Sequence, residues 1–480
     1  MPGTPHFYLW VNGEARKGVG DITVCNPFDG KPVATVGVAG RRLIREAIKS
    51  ACAAFSTLKA MSRFERAEIL ARMADGLSEA KTEIIDALIL EGGKPRMFAE
   101  QEHARTLAVF SWAAEEAKRF TGEQIPMDGM QRGIGYTGYT LREPIGPILG
   151  ICPFNFPLNL VAHKVAPALA AGNVIIIKPA STTPISALIM ARVASAAGAP
   201  HGSINVLPVR HRDLPVLLES EHIRMVSFTG SAAVGWGLKG RIGKKRLALE
   251  LGGNSGSIVD ADANLDWAAK RLALGGFAQA GQSCIAVQRI YAHRDIYDAL
   301  LARLVREAEH TRAGNPLDDD VVTGPVINAR AASRIMDWIS EAEAGGATIA
   351  CGGRRLAAGC GNVIAPTVLT DVREEMRICR EEVFGPVVTV HRMAHIGDAI
   401  ARINRSDGSL QAAIFSNNHA HIQQAVADIE AGGVVVNDFP TFRVDHMPYG
   451  GIKNSGMGRE GVRHAMLEMS EEKVVVIRRG

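Results

Sequence analysis

The sequence predicts an α/β fold with two doubly wound units. Three observations predict it. From about residue 147, short apolar runs alternate with amphipathic segments. The same alternation restarts near residue 255. Before both, residues 40–120 carry helical periodicity alone.

The elements follow in order. RRLIREAIKSACAAF and ERAEILARMADGLSEA repeat apolar residues every three or four positions, so each reads as a helix. EIIDALILEGGK ends on a Gly-Gly stop with Pro95 beyond it. PILGICPF, NVIIIKPA, INVLP and RMVSFTG read as strands, with HKVAPALAAG and SALIMARVASAAG as helices between them. In the second unit, about residues 255–440, NLDWAAKRLALGGFAQA, IYDALLARLVREAEHTR and ARAASRIMDWISEAEAGGA are helical. QRIYAHR and ATIACGG are strands there, and GGVVVND is a short buried strand. GIGYTGYTLREP (133–144) and EEKVVVIRRG belong to neither unit. Such stray strands leave edges that seek partners, and a second subunit can supply one.

Bulk properties narrow the function. The chain has 480 residues, 47% hydrophobic and 22% charged, with a net charge of +4. That charge is too small to point to nucleic acid or a membrane surface. Seven cysteines without a C-x-x-C pair argue against a disulfide framework and a metal site. The start, MPGTPHFYLWVNGEARKG, lacks a signal-peptide pattern, and VAPALAAGNVIII is too short to span a bilayer. A cytoplasmic protein is expected.

Two G-x-G-x-x-G matches lack the strand–turn–helix context of a dinucleotide loop. GIGYTG (133–138) leads into a strand, and GMGREG (456–461) follows a loop. RMVSFTGSAAVGWGL (224–238) suits phosphate better, because a strand runs through Gly230 and Ser231 into a helix start with free N–H groups.

Three stretches carry chemistry. AGQSCIAV sets Cys284 among small residues, where a thiol has room for a substrate. LALELGGNSG places Glu250 in apolar surroundings that raise a carboxyl toward general-base range. CPFNFPLNL holds Asn155 between prolines and aromatics, able to aim an amide N–H at an oxyanion. A buried thiol, a paired glutamate and a turn asparagine are the bland alternatives.

Taken together, CPFNFP, IIIKPA, SFTGS, LELGGN, GQSC and EEVFGP, in this order and spacing, resemble the aldehyde dehydrogenase superfamily over nearly the whole chain. The resemblance implies a Rossmann-type NAD(P)-binding domain (1–125 and 145–254), an α/β catalytic domain (255–440) and oligomerisation strands (126–144 and 465–480). It implies Cys284 as nucleophile, Asn155 with the Cys284 N–H as oxyanion hole, and Glu250 as the base for the deacylating water. It implies Lys178 at the adenosine ribose, and Glu382 and Phe384 around the nicotinamide. Gly230, Ser231 and Gly235 fall where the family's cofactor helix begins. A homodimer or homotetramer is implied as well.

Many NAD-preferring relatives have a glutamate where this chain has Ser181. Serine can hydrogen-bond a 2′-phosphate that a carboxylate would repel, so NADP or dual use is expected; capping of the next helix is the alternative. Arg105, His163 and Arg443 sit where relatives bind anionic aldehydes. Phosphate-handling relatives carry arginine before the nucleophile, whereas this chain has Ser283. The expected substrate is thus a small anionic or hydroxylated aldehyde such as lactaldehyde, sulfolactaldehyde or succinate semialdehyde. Structural ion pairs are the alternative for the arginines. Broad aldehyde specificity, a CoA-acylating relative and a cofactor-free thiol esterase or acyltransferase are the rival functions.

Overall fold

A computed structural model describes residues 4–479. Four helices, Arg41–Ala60, Arg63–Glu79, Lys81–Gly92 and Arg96–Arg119, form the helical region. Ser62 and Glu65 cap the second reciprocally. Gly93 ends the third in the left-handed region (φ 64°), and a Cβ there would lie 2.6 Å from Pro325.

Five parallel strands form the centre of the first sheet, in the spatial order Arg246–Glu250, Met225–Thr229, Ile148–Ile151, Ile175–Lys178, Ile204–Val206. The chain runs outward from Ile148–Ile151 to one side, then returns to build the other. This is the Rossmann order, and its reversal opens a crevice at the strands' carboxyl ends. Antiparallel strands complete the sheet, Leu9–Val11 and then Glu14–Arg16 at one side and Gly456–Met457 at the other.

The second sheet runs Thr348–Cys351, Thr367–Thr370, Val387–Met393, Val287–His293, Ser255–Val259, Gln411–Phe415, Gly433–Val436. All neighbours are parallel except the first pair. Gly433–Val436 is an edge strand and only half-buried, with Val436 exposed, rather than the buried strand its apolar run suggests. A lone apolar run does not distinguish a central strand from an edge.

Tyr136–Pro144 and Ser470–Arg478 pair antiparallel over their full lengths, and Gln124–Ile125 flanks the former. No helix among the described residues is long and apolar enough to cross a membrane.

Candidate active site

A cleft of about 920 Å³ opens at the strand-order reversal, between the two large sheets. From the first sheet it receives Asn155, Lys178, Ser181, Gly230, Ser231 and Glu250. The second supplies Cys284, Glu382 and Phe384.

Cys284 follows an unusual turn. Gln279, Ala280 and Gly281 all take left-handed backbone (φ 52°, 57° and 63°). Two non-glycine residues there cost conformational energy, and surrounding bonds hold them. The Gln279 amide donates to the Asn155 carbonyl, and the Ile327 N–H donates to Gln282 Oε1 at 2.9 Å. Cys284 remains partly open, but burial of its sulfur pushes the thiol up to about 12. A hydrogen-bonding contact at 3.0 Å between Sγ and the Tyr449 hydroxyl opposes that shift.

Asn155 Nδ2 donates to the Gln282 carbonyl at 2.9 Å. This bond ties the asparagine to the nucleophile loop and leaves the second amide hydrogen free. Glu250 ends its strand, and its Oε2 is buried without a partner. Burial, then the nearby Glu460 charge, raise this carboxyl well above its ordinary value. A paired glutamate does not describe it.

Lys178 ends its strand at the cleft, and burial lowers its ammonium. Ser181 is exposed beside it and does not cap the following helix. Glu91 accepts from the N–H groups of Ile185 and Ser186 there instead, at 2.7 and 3.0 Å. Ser231 is the residue before the helix Ala232–Lys239, and its side chain makes no cap. Gly230 lines the cleft, where a Cβ would lie 2.6 Å from the Phe228 ring, while Gly235 faces Leu251 rather than the cleft: a Cβ there would lie 2.4 Å from that leucine. Glu382 Oε1 accepts from Gly253 N at 3.1 Å, and burial pushes its carboxyl up to about 8. Phe384 meets Phe154 edge to face at 5.8 Å.

Arg105, His163 and Arg443 come together outside this cleft, around a residue the sequence reading does not single out. Asp445 binds Arg105 through two bonds and His163 through one. These bonds hold its carboxyl far below the usual range despite burial. Burial and Arg443 lower His163, which is therefore neutral near pH 7. Arg443 lies 3.7 Å over the Tyr449 ring and contacts Glu460 Oε2 at 3.3 Å. Its Nε is buried without a partner. Ser283 stays out of the cleft; its Oγ accepts from Ile285 N at 3.5 Å.

Glu460 is the second residue missed. It lies in GMGREG, which is no phosphate loop: Gly456–Met457 pairs with the Glu250 strand. Buried Lys164 donates to Glu460 Oε1 at 3.1 Å and to the hydroxyls of Ser227 and Thr229. Lys164 and Arg443 outweigh burial and hold Glu460 down to about 2. A lone lysine within the apolar helix Asn159–Ala170 is the sequence signal for this network.

Comparisons with known proteins show the family. The aldehyde dehydrogenase family model matches residues 10–475. The chain is 40% identical over 472 residues to the 3-sulfolactaldehyde dehydrogenase of Priestia aryabhattai, covering 98% of each. It is similar to a solved structure of aldehyde dehydrogenase 21 from Physcomitrella patens in complex with the reaction product succinate. There the identity is 40% and the TM-score 0.96, over 99% of each chain. The NADP-dependent glyceraldehyde-3-phosphate dehydrogenase of Bacillus halodurans, solved with NADP, is 33% identical with a TM-score of 0.95, covering 99% of this chain and 100% of that one. The chain belongs to the aldehyde dehydrogenase family and is an NAD(P)-dependent oxidoreductase.

Proposed function

We propose that the protein oxidises a small aldehyde bearing a sulfonate or carboxylate to the corresponding acid, with NADP accepted at least as well as NAD. One observation carries the substrate class. Arg443 is separated from the Cys284 sulfur by a single residue, Tyr449, and keeps a buried Nε without a partner. A guanidinium so placed can take an anionic group on a short substrate. The relatives acting on sulfolactaldehyde, or solved with succinate, support that class.

The cleft fits the cofactor. Exposed Ser181 beside Lys178 suits an adenosine ribose carrying a 2′-phosphate, and the helix start at Ser231 suits a pyrophosphate. When bound, the nicotinamide supplies the hydride acceptor. The chain's own residues do the rest. Cys284 attacks the aldehyde carbon, and the Asn155 amide with the Cys284 N–H holds the resulting oxyanion. After oxidation to the thioester, ionised Glu250 takes a proton from water, which cleaves it. The seven free thiols support a reducing, cytoplasmic setting, and the long terminal strand pair supports a homo-oligomer.

The test is the initial rate of cofactor reduction on sulfolactaldehyde, succinate semialdehyde, lactaldehyde, glyceraldehyde 3-phosphate and butyraldehyde, with NAD and NADP separately. Preference for a sulfonate or carboxylate substrate, lost in Arg443→Ala, is expected. Equal or faster oxidation of butyraldehyde would overturn the assignment.

A further inference from the structure

We propose that Tyr449 is a positioning residue for the nucleophile, donating its phenol hydrogen to the Cys284 sulfur and stabilising the thiolate, with Arg443 on its ring strengthening the donor. The inference rests on the reading of Cys284 as the nucleophile and adds a residue to it.

The geometry carries the proposal. Tyr449 is 4% exposed, and its hydroxyl has one hydrogen-bonding partner among the described residues, the sulfur 3.0 Å away. A phenylalanine would fill the same space, so the hydroxyl needs a polar reason to be there. Its backbone is fixed by a reciprocal pair with Glu460, at 3.0 and 2.7 Å. Its ring is fixed by the guanidinium of Arg443 at 3.7 Å, itself anchored on Glu460. The hydroxyl is therefore held in place before any substrate arrives. A cation over the ring face draws electron density from the phenol and makes its O–H a better donor.

The chemistry requires such a donor. Burial favours the neutral thiol, whereas the nucleophile is the thiolate. The charged and titratable groups facing the sulfur are Tyr449, Arg443, Glu250 and Glu382. Glu382 and Glu250 oppose the thiolate when ionised, and Arg443 favours it; burial pushes both carboxyls toward their neutral forms and so weakens that opposition. Burial also keeps the phenol protonated. When Cys284 ionises, its proton passes to water in the cleft, and Tyr449 keeps its own and donates it as a hydrogen bond.

The test is iodoacetamide alkylation of the full-length enzyme across pH, followed on the Cys284 peptide by mass spectrometry, because Cys25 and Cys360 are exposed and also react. In Tyr449→Phe, alkylation at pH 7.5 is expected to fall about tenfold and its inflection to move up about one pH unit, on the scale of one lost hydrogen bond to a charge. kcat should fall more than KM changes. A second variant with 3-fluorotyrosine at 449 keeps the ring and sharpens the donor, and should move the inflection down. An alkylation profile unmoved in both variants overturns the proposal. Full aldehyde oxidation by Cys284→Ala would instead overturn the reading of Cys284 as nucleophile.

Discussion

Asp445 accepts two hydrogen bonds from Arg105, at 3.1 Å from Nε and 2.7 Å from Nη2, and so already fills the guanidinium's paired donors. The surrounding charges can be counted. Within the ion pairs, Arg105, Arg443 and Lys164 are cations, Asp445 and Glu460 are anions, and His163 is neutral near pH 7. These pairs carry one positive charge in excess. It suits a singly charged sulfonate or carboxylate better than a doubly charged phosphate. Asp445→Asn should therefore raise kcat/KM for glyceraldehyde 3-phosphate relative to succinate semialdehyde by about tenfold, equivalent to about 1.4 kcal/mol. Breaking a buried pair also lowers stability, by about 3 kcal/mol, so rates are compared well below the unfolding transition. An unchanged ratio would mean that this cluster serves only the fold.

Glu250 gives a prediction in two parts. A buried, unpartnered carboxyl with a raised pKa is protonated at low pH and must ionise to act as a base. A hydrolysis-limited rate therefore rises with pH through the Glu250 titration. In Glu250→Gln that rise disappears and turnover falls about 10²- to 10⁴-fold. The first turnover does not need the base, so stopped flow should still show a burst of one reduced cofactor per site. Loss of the burst would place Glu250 before the thioester instead.

Ser181 supplies a cofactor prediction. It is exposed at the cleft beside Lys178, and the following helix takes its cap from Glu91. A serine free of structural duty can be replaced without loss of fold. Ser181→Glu puts a carboxylate against a 2′-phosphate and should lower kcat/KM for NADP about tenfold or more relative to NAD. A constant ratio, measured at a fixed aldehyde concentration, would remove Ser181 from cofactor selection.

The legible parts of this protein are those written in local chemistry. ILGI, the III of IIIK and MVSFT are short, largely apolar runs because their strands are buried on both faces, and Gly-Gly at 92–93 ends a helix through a left-handed residue. The strand VVTVHRM (Val387–Met393) is less legible, because its buried His391 and its exposed Arg392 break both the apolar run and the alternation. The charge networks are not local at all. Arg105 and Asp445 are 340 positions apart, and Cys284 and Tyr449 are 165 apart. Basic residues can be noticed singly, but whether each is free or already paired depends on which loop folds against it. Glu460 shows the same limit, since its surrounding glycines suggest a phosphate loop until a short strand places it among buried cations.

The last prediction concerns Ser470–Arg478. One edge of this nine-residue strand pairs with Tyr136–Pro144, and its other edge has no strand partner among the described residues. Val474, Val476 and Ile477 are at least half-exposed. A long apolar edge with free backbone groups favours pairing with another chain. Val474 and Val476 share one face by the two-residue period of a strand, so Val474→Lys with Val476→Lys charges that face. Sedimentation velocity should show the wild-type protein as a dimer or tetramer and the double variant as a smaller species. The strand lies outside the cleft, so the cofactor site is untouched. An unchanged sedimentation coefficient in the double variant would assign the subunit contact to another surface.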